Sequence, residues 1–190
     1  MTLFEQRYDI RGEAMKFLRT ARLDDSDDHV YSPAAAAGEP AVTGTFVFSF
    51  AEQDPETLSG KERQAYRNGF LGLNSFGWST VVRIEEIDEV EYKRIVEVLA
   101  QHLVERHGAP SVDEALPFAR QEIEYAVSLC DDEPGTMLVI ERHADEEGIH
   151  EAFRKVQALA SAQPVNQVAD WRGQDGEIRI WDMFPDDGAR

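Results

Sequence analysis

The amino-acid sequence predicts an α+β fold, in which a mainly antiparallel sheet of about four to six strands is covered by helices including an antiparallel helical hairpin. Two observations support this class. Strand-like runs dominate the first half of the chain, and two amphipathic segments joined by a short connection follow them. The chain has 190 residues, of which 42% are hydrophobic, so it can build a full core without a disulfide or metal.

The first third of the chain reads as strands and loops. Residues 16–23 predict a strand, and the acidic residues 24–28 predict an exposed turn. Residues 29–32 predict a short strand, and the proline-bounded run PAAAAGEP at 33–40 predicts a loop. The run AVTGTFVFSF at 41–50 predicts a strand, because it is rich in β-branched and aromatic residues. Three phenylalanines are expected to share its core-facing side: Phe46, Phe48 and Phe50.

Capping signals and apolar periodicity predict three helices in the middle of the chain. Ser59 and Glu62 have the spacing of a capping box that opens a helix through Asn68. Residues 89–107 predict an amphipathic helix, which is expected to end at Gly108 and Pro110. Ser111 is predicted to begin a second helix that runs through Leu129. The apolar stripe of the first of these two helices is predicted to contain Val90, Ile95, Val98, Leu99, His102 and Leu103.

The remaining segments predict strands and one further helix. Residues 80–87 and 136–143 predict strands, the second of them largely buried. Residues 146–160 predict a last helix with four inward side chains, and residues 177–184 alternate in a way that suits an edge strand. Those four inward residues are Ile149, Phe153, Val156 and Leu159.

The same segments suggest how the chain is organised. A second methionine, Met15, directly precedes the first strand, so residues 1–14 are predicted to be disordered or an extension. Residues 15–160 are predicted to form a single α+β domain, and residues 161–190 a C-terminal extension. The lone cysteine and the lack of a signal-peptide pattern or a long apolar run indicate a cytoplasmic protein.

The charge balance excludes some classes of partner. With 19 Lys and Arg residues against 37 Asp and Glu residues, the net charge is −18. Nucleic acids and anionic membranes are bound largely through neutralised phosphates, so neither is an expected partner. A solvated acidic surface explains this composition, and such a surface also suits encounter with a basic partner protein.

No catalytic residue, metal site or cofactor is predicted. Cys130 is expected to be a buried thiol at a helix end, where the helix dipole and the neighbouring Asp131 and Asp132 oppose the thiolate. The five histidines form none of the usual metal-binding spacings. His143 and His150 flank an acidic turn, for which a surface strand-to-helix turn is the preferred interpretation.

Functional interest concentrates on a segment rich in glycine and aromatic residues, from Arg67 to Thr80. Its glycines match no phosphate-binding motif, and packing of tight turns explains them. If the segment has a function, it lines a cleft for a small ligand or peptide. The candidate binding residues are Arg67, Asn68, Phe70, Asn74, Phe76 and Trp78, together with Trp181 in the C-terminal extension.

Four phrases of the sequence carry a resemblance to a known family: RTARLDDSD, VTGTFVF, RNGFLGLNSFGWST and EYAVSLCDDEPGT. They resemble a family of small acidic proteobacterial proteins with a domain of unknown function, over about residues 15–160. The resemblance implies no activity, cofactor or catalytic residue. It associates the chain loosely with accessory roles near cofactor-dependent enzymes.

These observations favour a non-catalytic accessory or protein-interaction domain, which assists or belongs to a cofactor-dependent enzyme complex. The expected partner is another protein or a larger enzyme complex, and a homo-oligomer is an open alternative. The competing hypothesis is a small-molecule-binding domain or minor enzyme with its site around Arg67–Trp78.

Overall fold

The computed structural model describes residues 15–51 and 53–156 of the chain. Within them the strands are β1 Met15–Ala21, β2 Ala41–Val42, β3 Phe70–Gly72, β4 Trp78–Ser79, β5 Val81–Ile87, β6 Met137–Asp145 and β7 Gly148–Val156. The α-helices are α1 Ser26–Val30, α2 Phe46–Ser49, α3 Gly60–Asn68, α4 Glu89–His107 and α5 Val112–Ser128, and a 3-10 turn covers Pro55–Thr57. The predicted α+β class is confirmed.

The strands form two antiparallel sheets. The larger has the order β1-β5-β6-β7 and the smaller the order β2-β3-β4. In the larger sheet Leu18 lies opposite Ile84, and Val82 lies opposite Leu138. Residues opposite each other in a sheet point to the same face. This face therefore carries apolar side chains across three strands, and it forms part of the main core together with the helices.

The two long helices α4 and α5 form the predicted helical hairpin. Asp88 caps α4 by accepting a hydrogen bond of 2.7 Å from the backbone N–H of Glu91, and Gly108 ends this helix with a left-handed φ of 75°. Ser111 caps α5 by accepting from the N–H of Glu114. Because these signals are local, the sequence alone locates both helices.

The apolar stripe of α4 differs from the prediction in its first turn. Val90 is 77% exposed, although its spacing predicts a place in the stripe. It precedes Ile95 by five residues, which is about 140° around a helix, so it faces away from the core. The buried side chains of α4 are Tyr92, Ile95, Val96, Leu99, Ala100 and Leu103.

Residues 41–50 do not form the single strand that their composition predicts. Only β2 is extended, and α2 follows it. Gly44 turns the chain out of the extended conformation with a φ of 76°, and a Cβ atom at this position would lie 2.7 Å from the Cβ of Leu71. The turn that leads into α2 thus packs closely on β3 and β4 of the smaller sheet, where only a glycine fits. Phe46 and Phe48 are still buried, whereas Phe50 is 51% exposed.

The helix predicted over residues 146–160 is wrong over the part that the structure describes. Gly148–Val156 form β7, which pairs with β6 along its whole length down to the pair Asp145–Gly148. A two-residue loop closes this hairpin. Ile149 and Phe153 are four residues apart, a spacing that fits one face of a helix and also one face of a strand. Pairing with β6 decides between the two.

Three further predictions concern short segments, at residues 29–32, at Ser59 and at residues 177–184. Residues 29–32 are not a strand, because α1 extends to Val30. Ser59 precedes α3 as predicted, but its side chain makes no capping hydrogen bond. Residues 177–184 lie outside the described residues, so the edge strand predicted there stays a prediction. No helix in the described ranges is long and apolar enough to cross a membrane.

The tight approach at Gly44 generates a stability prediction. We expect Gly44→Ala to lower the free energy of unfolding by about 1–2 kcal/mol for the left-handed backbone and by about 1–3 kcal/mol more for the steric conflict with Leu71. Gly38→Ala is the matched control, because Gly38 has a similar φ of 82° and no atom lies within 4 Å of the position that its Cβ would take. Urea unfolding of both variants measures the difference. Equal losses would show that Leu71 does not constrain this turn.

Candidate functional site

Three of the predicted binding residues lie in the core. Phe70 is fully buried, and Trp78 is buried and stacked on Phe48 with ring centroids 5.2 Å apart. Asn68 is also buried, and its side-chain amide donates a hydrogen bond of 3.2 Å to the backbone oxygen of Ile140. These three side chains hold the two sheets and α3 together.

The other predicted binding residues are nearer the surface but do not converge. Arg67 forms an ion pair with Glu56 at 3.6 Å. Asn74 is exposed, and Phe76 stacks on His102 of α4 with centroids 3.5 Å apart. Trp181 lies outside the described residues. Of the six candidates in the described ranges, Phe76 alone lines one of the two clefts that the structure shows around α4 and α5.

The turn between β3 and β4 owes its shape to a buried carboxylate. Glu39 is 4% exposed and accepts hydrogen bonds from the backbone N–H groups of Asn74 and Ser75 at 3.0 and 2.8 Å. At Gly72, a Cβ atom would lie 2.7 Å from a Glu39 oxygen. A larger residue at position 72 would collide with Glu39, so the packing of this turn requires a glycine there. This agrees with the prediction that tight packing explains the glycines of the segment.

A cleft on a different part of the surface brings polar and aromatic side chains together. It lies between the loop that enters α2, helix α5 and strand β7, and its volume is about 450 Å³. We call it the α2/α5/β7 cleft. Its lining consists of Thr43, Thr45, Phe46, Ser49, Phe50, Phe118, Glu122, Tyr125, Ile149, His150 and Glu151.

Beneath this cleft lies Arg142 of β6, a charged side chain that is fully buried. Its Nη1 donates to the backbone oxygens of Tyr66 at 2.8 Å and Gly69 at 2.9 Å, at the C-terminal end of α3. Its Nη2 donates to the backbone oxygen of Thr43, and its Nε donates to Thr45 Oγ1 at 2.6 Å. Burial lowers the pKa of the guanidinium to about 10, so Arg142 remains cationic at neutral pH.

Glu151 of β7 connects this buried cation to the cleft. One carboxylate oxygen lies 3.4 Å from Arg142 Nε and accepts a hydrogen bond from the Thr45 hydroxyl. The other accepts from the Tyr125 hydroxyl at 2.7 Å. Burial and the hydrogen bond to Glu151 raise the pKa of Tyr125, so its phenol stays a donor. Both oxygens of Glu151 are therefore engaged, and its charge is offset by Arg142.

A second carboxyl group in the cleft has no such partner. Glu122 of α5 is partly buried, and it forms no hydrogen bond or ion pair with the described part of the chain. Burial raises its pKa to about 7, and the nearby charge of Glu151 acts in the same direction. Glu122 is thus the acceptor in this cleft that the protein leaves uncompensated.

Another part of the cleft lining is an aromatic wall. Phe118 lies 5.4 Å from Phe50 and 5.9 Å from Phe46 between ring centroids. His107, at the end of α4, packs on Phe46 at 5.3 Å. Because Phe50 is about half exposed, part of this ring cluster remains open to a ligand. The cleft combines aromatic rings with the carboxyl group of Glu122, which suits a cationic group on an apolar stem.

A second cleft, of about 440 Å³, is associated with the predicted segment through Phe76. His102 stacks on Phe76, and burial lowers the pKa of this histidine to about 4, so its ring is neutral at physiological pH. Val98 and Val112 complete the apolar part of the lining, and the acidic side chains lie on α4. The stacking contact between the two rings gives both Phe76 and His102 a structural role.

The chemistry expected of the other candidate groups is limited. Cys130 is buried directly after α5, as predicted, and burial raises the pKa of its thiol to about 12. His143 and His150 stack across the β6–β7 hairpin, with centroids 5.1 Å apart, rather than flanking a strand-to-helix turn. The described ranges contain no group of three or more His, Cys, Asp or Glu side chains that could hold a metal ion.

The residues of the α2/α5/β7 cleft were not predicted from the sequence as a binding site. One signal was available for Arg142, because it has the same parity along β6 as the buried Leu138 and Ile140. That parity places a charged side chain on the core face. No comparable signal distinguishes Glu122 or Glu151 among 37 acidic residues, and the sequence predicts a helix where β7 lies.

The buried ion pair under the cleft yields a second stability prediction. Arg142→Met leaves Glu151 without its cation and backbone oxygens without their donor, so we expect a loss of about 3–5 kcal/mol in the free energy of unfolding. Arg154→Met is the matched control on the same hairpin, because the Arg154–Glu141 pair is more than half exposed. It should change stability by about 0–1 kcal/mol. Comparable losses in urea unfolding would contradict a structural role for Arg142.

Comparison with known proteins gives one result. A family model described as a family of unknown function (DUF6505) matches residues 15–172, a range that begins at Met15 and contains every residue of the cleft. No curated protein and no solved structure matches the chain. The match agrees with the resemblance to a family of unknown function and extends past the expected limit of about residue 160. The chain belongs to the DUF6505 family of unknown function.

Proposed function

We propose that this protein is a non-catalytic accessory domain that binds a partner protein by receiving a basic side chain of that partner in the α2/α5/β7 cleft. The observation that carries the proposal is that an uncompensated Glu122 and an aromatic wall line the same cavity. A cationic side chain would supply the missing charge to Glu122 and would pack its apolar stem on Phe50.

The electrostatics of the cleft favour a cation over an anion or a neutral group. Three charged side chains meet here, and Arg142 offsets only Glu151. An incoming cation therefore gains the interaction with Glu122 without displacing an existing partner. Arg142 lies fully below the surface, and its charge is already paired, which limits repulsion of the ligand.

The charge of the whole chain supports a basic protein as the partner. A net charge of −18 attracts a basic surface over long range and accelerates the encounter, while it repels nucleic acid and anionic lipid. We place the protein in the bacterial cytoplasm, near a cofactor-dependent enzyme or within its complex. Self-association is a further proposal that the same cleft would permit, with a basic side chain of a second copy as the ligand.

The alternative function is a small-molecule-binding domain or minor enzyme. The location that the sequence predicts for its site, around Arg67–Trp78, has less support, because Phe70 and Trp78 are packed in the core. The observation that favours this function is the pKa of Glu122, since a carboxyl group that titrates near pH 7 in a cleft is suited to general acid–base chemistry. The Tyr125 hydroxyl already donates to Glu151, however, so it is not free to act as a second reactive group beside Glu122.

A basic peptide tests the binding function directly. We expect the blocked tetrapeptide acetyl-Gly-Lys-Arg-Gly-amide to bind at pH 8, and its affinity to fall by about tenfold at pH 6, because Glu122 with a pKa of about 7 becomes protonated. Isothermal titration calorimetry at pH 8 and pH 6, each at low and high salt, measures the affinity and its dependence on pH and on charge.

Matched variants identify the group responsible for this pH dependence. Glu122→Gln should abolish most of the binding and its pH dependence, whereas Glu124→Gln, an exposed change on the same helix, should preserve both. Failure of the peptide to bind at any pH would rule out the proposed function.

Glu122 also predicts how stability depends on pH. Its pKa rises from 4.5 in the unfolded chain to about 7 in the folded protein, so the folded state holds its proton more tightly. Stability from this group is fully present below pH 4.5 and is lost as the pH rises to about 7. Glu122→Gln should therefore be more stable than the native protein at pH 8 and similar to it at pH 4.5. Thermal unfolding across this range would contradict the assignment if both proteins show the same pH dependence.

A further inference from the structure

We propose that the α2/α5/β7 cleft is specific for a guanidinium group, so that the ligand is an arginine side chain of the partner protein rather than a lysine or a methylated ammonium. This inference rests on the proposed function and names the chemical class that the cleft selects.

The aromatic side of the cleft is a wall and not a cage. The three rings of Phe46, Phe50 and Phe118 pack on one another, with centroid distances of 5.4 to 6.0 Å and interplanar angles of 43° to 85°. Methylated ammonium groups are recognised by aromatic cages, in which several rings surround the cation. A wall offers one ring surface, and a planar guanidinium can stack on that surface in full contact.

The acidic side of the cleft suits a donor with a fixed fork. Glu122 has both carboxylate oxygens available, because no described residue donates to them. A guanidinium donates two parallel hydrogen bonds to one carboxylate, whereas an ammonium acts as a compact point charge that is more strongly hydrated. In a partly buried site the weaker hydration of the guanidinium makes its transfer from water easier.

The cleft lining contains a further hydrogen-bond acceptor. The Ser49 hydroxyl donates to the backbone oxygen of Thr45 at 3.2 Å, which leaves its lone pairs able to accept. Both Ser49 and Glu122 line the cleft. A guanidinium has five N–H donors, so it can bond the carboxylate with two and still reach a hydroxyl.

The protein already holds one guanidinium in surroundings of the same kind. The Arg142 side chain lies over the Phe48 ring, 5.9 Å from its centroid, and beside the carboxylate of Glu151 at 3.4 Å. An arginine in the cleft would have the equivalent pair of neighbours, Phe50 and Glu122. The cleft volume of about 450 Å³ is near the lower end of the range for ligand sites, which suits one long side chain.

Competition between four matched peptides tests the specificity. The probes are acetyl-Gly-X-Gly-amide in which X is arginine, lysine, trimethyllysine or citrulline, the last being a neutral analogue of arginine with a similar shape. By isothermal titration calorimetry at pH 8 we expect the arginine peptide to bind at least about tenfold more tightly than each of the others.

Phe50→Leu separates stacking from charge, because it keeps an apolar side chain at an exposed position and removes the ring. It should weaken the arginine peptide by about three- to tenfold and the lysine peptide by less, because only the planar guanidinium stacks on the ring. Leu23→Ala is the control, since Leu23 is similarly exposed and does not line the cleft.

The possible results distinguish the two proposals. If the arginine and lysine peptides bind equally, or trimethyllysine binds best, the guanidinium inference is wrong while the proposed function stands. If citrulline binds as tightly as arginine, charge does not drive recognition, and both proposals fail. If no peptide binds, the proposed function fails first and the specificity falls with it.

Discussion

The buried guanidinium of Arg142 imposes the main constraint on this fold. Moving an ion out of water costs several kcal/mol unless hydrogen bonds and an opposite charge replace the lost hydration. Here the replacements come from three distant parts of the chain: the loop at Thr43 and Thr45, the end of α3 at Tyr66 and Gly69, and Glu151 of β7. The charge is tolerated only if all three segments are in place, which ties the two sheets and α3 to one arrangement.

The same constraint produces the cleft. The last carbonyl groups of α3 have no partner within the helix, and Arg142 supplies one from the neighbouring sheet. Glu151 lies directly opposite Arg142 in the β6–β7 pair, and on the same face of the sheet it meets Tyr125 of α5. This contact places α5, and with it Glu122, beside an existing carboxylate. Burial raises the pKa of Glu122 to about 7, and the charge of Glu151, which pairs with Arg142, acts in the same direction.

Local signals account for what the sequence predicted correctly, and long-range contacts account for what it did not. Helices α4 and α5 carry their own caps and periodicity, so their bounds follow from nearby residues. The turn at Gly44 depends on Leu71, which is far along the chain, and β7 depends on its pairing with β6. The cleft was not predicted for the same reason, since its residues come from segments separated by about a hundred positions.

An uncompensated carboxyl group in a cleft differs in kind from the many acidic side chains on the surface. The surface carboxylates are hydrated, and they are common because the chain contains 37 Asp and Glu residues. Glu122 is partly desolvated and close to Glu151, so its ionised form destabilises the folded protein, and a glutamine would fit the same space without this penalty. Sites that hold such unfavourable electrostatics are enriched in functional regions, because a ligand can relieve them. Under the proposed function, the aromatic wall of the same cleft would favour a ligand with an apolar surface, which a metal ion or ammonia lacks.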